Sequence, residues 1–281
     1  MKEPFKEFCR NVYEQTFQDE VLRLSKGKRR KTNGVENLAQ KEAIKKAILL
    51  TMEKYPAVEP AFIWKGIYEV HVHHKSGLDD SKTIARVISA DQSWKKSSGH
   101  AFEEMIKLLA NASLNELGIE IMLQRDLNTL IKAGELANEP RDISWLKEQI
   151  KGSVFDLFAL FSKEGKRYCY GCIQSKTSIR DRVTRDREPS IAAMQSFFWS
   201  SIIVLDGEFL KQPKFTAMVG GGTSEYPDNG WHGLYVFSEK YKGERIYPLQ
   251  IDFKRFSEHA VAAAKYWETQ RQWFDKNWKA E

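Results

Sequence analysis

The segment that most restricts the fold is a pair of apolar runs, GSVFDLFALF (152–161) and RYCYGCIQSK (167–176), joined through Lys163-Glu164-Gly165-Lys166. Strand-forming residues on either side of a short glycine-bearing turn predict a β-hairpin. The patterns around it extend the sheet and cover it. SSGHAFEEMIKLLANASLNELG (97–118) places Phe102, Met105, Ile106, Leu109 and Leu117 on one helical side, with Ser97 or Ser98 as its cap. IEIMLQRD (119–126) and FTAMV (215–219) read as strands. Pro189 suits the first turn of a helix through PSIAAMQSFFWSSIIVL, and the end from Ser257 to Trp278 is helical. Helix, antiparallel strands, helix, strand is an α+β pattern with a mixed sheet.

The N-terminal third reads differently. Phe5, Phe8, Val12, Phe17, Val21 and Leu24 recur at mostly helical spacing, a basic loop KGKRRKTNG (26–34) follows, and residues 35–54 are again helical. The alternation in IYEVHVHH (67–74) predicts a strand. A boundary near residue 95 divides a mainly helical region, 1–95, suited to dimer or DNA-backbone contacts, from a core at 96–281. Of the 281 residues, 42% are hydrophobic and 29% charged, which excludes a disordered chain. No apolar run reaches the roughly 18 residues needed to cross a bilayer. MKEPFKEFCRNVYEQ lacks the apolar stretch of a secretory signal, and three cysteines fit a reducing cytoplasm. A net charge of +6 permits a polyanionic partner without demanding one.

The chemistry lies in VFD (154–156) and, across the hairpin, QSK (174–176). Strand side chains alternate, so Gln174 and Lys176 point the same way, and a hairpin can bring Asp156 beside them. A carboxylate holds a hard cation; an ammonium orients an attacking water and offsets charge at phosphorus. Downstream, Lys176 is followed by Thr-Ser-Ile-Arg180-Asp181-Arg182, and Glu188 precedes Pro189. A guanidinium donates two hydrogen bonds in a fork that matches O6 and N7 of guanine. Arg180 and Arg182 suit two adjacent guanines, while Asp181 accepts from cytosine N4 or holds the arginines. Arg185 and Arg187 suit phosphates, which position a duplex without reading it.

These residues resemble the PD-(D/E)XK nuclease superfamily, whose core runs α-β-β-β-α-β, and within it the type II restriction endonucleases that recognise CCGG, or CC and GG around a central base. In that group the second metal carboxylate has migrated from the strand to the next helix. The resemblance implies a catalytic set of Asp156, Lys176 and Glu188, with Gln174 filling the vacated strand position. It implies Mg²⁺ held by Asp156 and Glu188, with the Ser175 carbonyl as a further ligand. Glu103 matches the supporting helix glutamate, with Glu104 as the competing choice. A palindromic double-stranded DNA target then implies a homodimer or a tetramer in a prokaryotic cytoplasm. A repair nuclease with the same core and a non-catalytic DNA-binding protein are the rival readings.

Other motifs carry less. Cys169 and Cys172 have the spacing of a metal pair, but residues three apart on a regular strand face opposite sides, so core thiols are expected. His71 and His73 share a strand face on that reading, an ordinary polar face being the simpler account. Gly220-Gly221-Gly222-Thr223 lacks the lysine of a phosphate-binding loop.

Overall fold

A computed structural model describes residues 4–25, 33–58, 60–78, 80–178, 183–271 and 274–280. The chain divides into two compact units, Met1–Trp94 and Lys95–Glu281. In the first, α1 (Pro4–Leu24), α2 (Asn33–Lys54) and α3 (Pro60–Ser76) close around Phe5, Cys9, Tyr13, Ala43, Ala47, Ile63, Ile67 and Val70. The strand expected over 67–74 is therefore helix. Ile63, Ile67 and Val70 recur at helical spacing and bury themselves against α1 and α2, and that period outweighs the local alternation of His and Val. His71 Nδ1 meets the Tyr13 hydroxyl at 2.8 Å and His73 Nδ1 meets the Leu78 carbonyl at 3.2 Å. Among the described residues no group of three His, Cys, Asp or Glu side chains is disposed to hold a metal.

The second unit is a six-stranded mixed sheet in the order β1-β2-β3-β4-β5-β6. The strands are β1 (Ile119–Leu123), β2 (Leu157–Lys163), β3 (Lys166–Ser178), β4 (Trp199–Asp206), β5 (Gly233–Val236) and β6 (Ile246–Pro248). The first three are antiparallel and the rest continue in parallel from β3. The predicted hairpin forms: Lys163 pairs with Lys166, and Glu164 and Gly165 both take positive φ, 51° and 74°. That is the backbone of a type I′ turn, whose twist matches the strands.

Alternation along β2 sorts the covering layers. Leu157, Ala159 and Phe161 pack with α4 (Ser81–Leu114) and α9 (Lys254–Gln270), while Phe158 and Leu160 face α5 (Gln124–Ala133) and α6 (Pro140–Gly152). Val183, Met218 and Val219, from α7 (Val183–Gln195) and α8 (Pro213–Gly220), join Ile202 and Val204 on that second side. Fully burying an aromatic such as Trp199 or Phe158 is worth roughly 1.5–3 kcal/mol, and many such side chains fill these layers.

The structure departs from the sequence-based expectations in four further places, the first being the C-terminal helix expected to reach Trp278, which ends at Gln270. Residues 215–219 are helix, started by Pro213 at the first turn. The helix foreseen from Pro189 begins earlier, at Val183, and stops at Gln195; Pro189 lies inside it, and Trp199–Asp206 is a buried central strand. Finally, β3 carries a bulge. Ala159 pairs with Gly171 but Leu160 pairs with Cys169, so Tyr170 is the extra residue. The bulge turns Cys169 and Cys172 to one face, against the parity argument. Both are fully buried among apolar side chains, and burial raises both thiols well above their usual range.

Candidate active site

The local sequence builds a fixed corner at Asp156. Phe155 is fully buried and anchors the approach to β2. The Asp156 amide donates to the Ile173 carbonyl at 3.1 Å, and its carbonyl accepts from the Gln124 amide at 3.1 Å, where α5 begins. With its backbone held on both sides, the carboxylate leans across the hairpin. Asp156 Oδ2 accepts from the Ser175 amide at 2.7 Å and from Lys176 Nζ at 3.2 Å. Both side chains are partly open, 27% exposed for Lys176 and 21% for Asp156, so the pair lies at a surface that substrate can reach. Oδ2 takes both bonds and Oδ1 remains for a further ligand.

Helix α4 brings a second carboxylate. Glu103 is pushed above its usual range, chiefly by burial and next by the charge of Asp156; a hydrogen bond from His100 and the Lys176 ammonium act in the opposite sense. His100 Nδ1 and Glu103 Oε2 lie 3.4 Å apart. Glu104 instead pairs with Arg125 on the exposed side of the helix. Of the two candidates, Glu103 is thus the one that shares the electrostatic field of Asp156 and Lys176.

Gln174 does not face this corner as an open group. It is 1% exposed, and both ends of its amide are engaged. Nε2 donates to the Asp186 carbonyl of α7 at 2.9 Å, and Oε1 accepts from Trp231 Nε1 at 2.8 Å. Ser175 is buried with its amide on Asp156.

Glu188 is exposed on α7, two residues beyond the Asp186 carbonyl that Gln174 holds. Arg185 is exposed on the same helix. Arg187 is engaged within the protein: Nε donates to the Met218 carbonyl at 3.1 Å, Nη2 to the Asp228 carbonyl at 2.6 Å, and the guanidinium lies 5.4 Å from the Tyr226 ring centroid. Arg180, Asp181 and Arg182 lie outside the described residues. The structure therefore joins Asp156, Lys176, Ser175 and Glu103 at one corner, with Gln174 bridging to the helix that carries Glu188.

Sequence reasoning missed Trp231, Ser190 and Ser200. The Ser190 and Ser200 hydroxyls are buried and lie 2.7 Å apart, linking α7 to β4. No local signal marks these residues, because each acts on a partner distant in the chain or across an element boundary.

A family model described as BsaWI restriction endonuclease type 2 matches residues 141–273, a span that includes Asp156, Lys176 and Glu188. A solved structure, the crystal structure of a pre-specific restriction endonuclease BsaWI–DNA complex, is 54% identical, covers 99% of this chain and 99% of that chain, and superposes with a TM-score of 0.85. The specific restriction endonuclease AgeI–DNA complex is 18% identical over 90% of this chain and 91% of that chain, with a TM-score of 0.46. No curated protein sequence matches.

Proposed function

This chain belongs to the BsaWI-like type II restriction endonucleases, site-specific deoxyribonucleases, and on that premise we propose that it hydrolyses double-stranded DNA with Mg²⁺ at a palindromic site containing CCGG or CC/GG. One observation carries the reading: Asp156 and Lys176, twenty residues apart, meet at 3.2 Å at the open end of a hairpin.

The donor set suits a hard cation. Asp156, Glu188 and the Ser175 carbonyl are oxygen ligands of the kind Mg²⁺ prefers, and Glu103 adds a third carboxylate close enough to feel Asp156. The ion, when bound, supplies Lewis-acid activation of water and stabilises charge on the phosphate. The remaining work falls to the chain. Asp156 holds the Lys176 ammonium through Oδ2, so the amine stays at the scissile phosphate, where it orients the attacking water and offsets developing charge. Glu103 supports this pair from α4. Gln174 keeps β3 and α7 in register, so that the Glu188 carboxylate belongs to the same site.

Arg180, Asp181 and Arg182 read the guanines and cytosine of the half-site and Arg185 tracks the backbone, whereas the Arg187 guanidinium is held by the Met218 and Asp228 carbonyls and braces α7 instead. Each bidentate guanine contact is worth roughly 1–3 kcal/mol of discrimination, so reading one half-site per subunit demands a homodimer, each copy cutting one strand. Among the described residues no helix is long and apolar enough to cross a membrane.

The test is digestion of DNA of known sequence in Mg²⁺ followed by sequencing of the fragment ends. A fixed set of fragments with 5′ overhangs within CCGG or CC/GG is expected, and Lys176→Ala abolishes it. Random nicking, preference for branched or damaged DNA, or undiminished cleavage by Lys176→Ala overturns the proposal.

A further inference from the structure

Pro189 lies inside α7 and has no amide hydrogen, so the Arg185 carbonyl loses the partner that the helix would otherwise supply. The stretch bearing Asp186, Arg187 and Glu188 is thereby weakened along its own ladder. Neighbouring side chains hold it from outside. Arg187 ties it to the Met218 carbonyl of α8, the Ser190 hydroxyl meets that of Ser200 on β4, and Gln174 on β3 donates to the Asp186 carbonyl.

The Gln174 contact depends on a residue outside the family motif. Trp231 is fully buried immediately before β5, and its indole Nε1–H donates to Gln174 Oε1 at 2.8 Å. An indole nitrogen is a donor only, so it fixes which end of the Gln174 amide it meets. With Oε1 turned to Trp231, the NH₂ group is left facing the Asp186 carbonyl. Without the indole donor, Oε1 is left buried without its partner, and the amide is held only by its bond to the Asp186 carbonyl. Trp231 is itself held: Asn229 Nδ2 donates to its carbonyl at 2.9 Å.

We propose that Trp231 is a positioning residue for DNA cleavage: by orienting the Gln174 amide it sets where the α7 turn bearing Glu188 stands relative to the strand bearing Lys176. The proposal rests on Glu188 belonging to the active site. It predicts a defect in turnover rather than in DNA binding, since the relay touches neither recognition side chains nor backbone-tracking arginines other than through α7.

The experiment compares steady-state cleavage by wild type, Trp231→Phe, Gln174→Met and Leu234→Ala. Leu234 is buried in the same apolar cluster, has no part in the relay, and its truncation supplies a control of comparable thermal destabilisation. Trp231→Phe and Gln174→Met are each expected to lower kcat by about tenfold to a hundredfold, as small misplacements of reacting groups do, with KM for DNA within about twofold of wild type. Leu234→Ala keeps the wild-type kcat. Unchanged kcat in a folded Trp231→Phe or Gln174→Met, an equal loss in Leu234→Ala, or a loss confined to KM overturns the proposal. Should Trp231→Phe not fold, Gln174→Met decides alone. Wild-type cleavage that survives Glu188→Gln unchanged defeats the underlying reading of Glu188 instead, and is a separate result.

Discussion

Gln174 occupies the strand position where this nuclease superfamily commonly carries an acid, so Gln174→Glu distinguishes a vacated metal position from a structural brace. The substitution keeps an acceptor for Trp231 Nε1 but removes the donor to the Asp186 carbonyl, in a site 1% exposed. Losing this partly buried hydrogen bond costs roughly 0.5–1.5 kcal/mol. An ionised carboxylate here also loses its water and faces a carbonyl oxygen, both of which raise its pKa. A carboxyl that is harder to ionise when folded carries no ionisation penalty below the unfolded value of about 4.3, and the penalty grows as pH rises toward the folded value. The penalty is therefore largest at pH 8 and small at pH 5, where the protonated group can still donate to the Asp186 carbonyl. Urea unfolding of wild type and Gln174→Glu at these two pH values measures the difference directly. Equal stability at pH 8, or cleavage faster than wild type, would refute the brace and return position 174 to the metal site.

The two buried histidines of the second unit predict acid sensitivity. Ser200 N–H donates to His232 Nδ1, so Nε2 carries the proton toward the Asp275 carbonyl, and burial holds the ring's pKa down to about 3; burial holds His259 down to about 4. Both contributions are complete above the unfolded value near 6.5 and are lost as pH falls below it, at about 1.4 kcal/mol per pH unit for each ring. The urea midpoint should therefore fall between pH 6.5 and 4, and His259→Leu should flatten that slope. Glu103→Gln is expected to slow plasmid cleavage by about tenfold or more, whereas Glu104→Gln, which loses only a surface pair with Arg125, stays within about twofold in the same time course. Gly171→Ala places a Cβ 2.9 Å from Trp199 Cε3 and 3.0 Å from that of Ala159, and overpacking of this kind should cost about 1–3 kcal/mol in a urea titration.

The hairpin and the encounter of Asp156 with Lys176 were legible in the residues alone. Both depend on short-range information: alternating strand formers, a turn at Glu164-Gly165, and a register counted outward from that turn. The α+β class was legible from β1, β2, β3 and the helices that flank them, but residues 67–74 and 215–219 read as strands and are helix, and Trp199–Asp206 reads as helix and is strand. Where two local patterns competed, packing chose. IYEVHVHH alternates like a strand, yet Ile67 and Val70 bury on one helical face once α1 and α2 are present. Only the tertiary structure placed Tyr170 in a bulge that brings Cys169 and Cys172 to one side, because a bulge is chosen by what the two faces of the sheet must cover. It also turned Glu103 toward the charges of Asp156 and Lys176 and Glu104 toward Arg125, a difference of rotation about the axis of α4. Gln174 shows the division most clearly. Its identity reads as a missing acid, but its bonds to Trp231 and Asp186 join three elements separated by long stretches of chain. A hydrogen bond between distant elements leaves no periodic trace in sequence, because it is set by where the elements dock rather than by how each one winds.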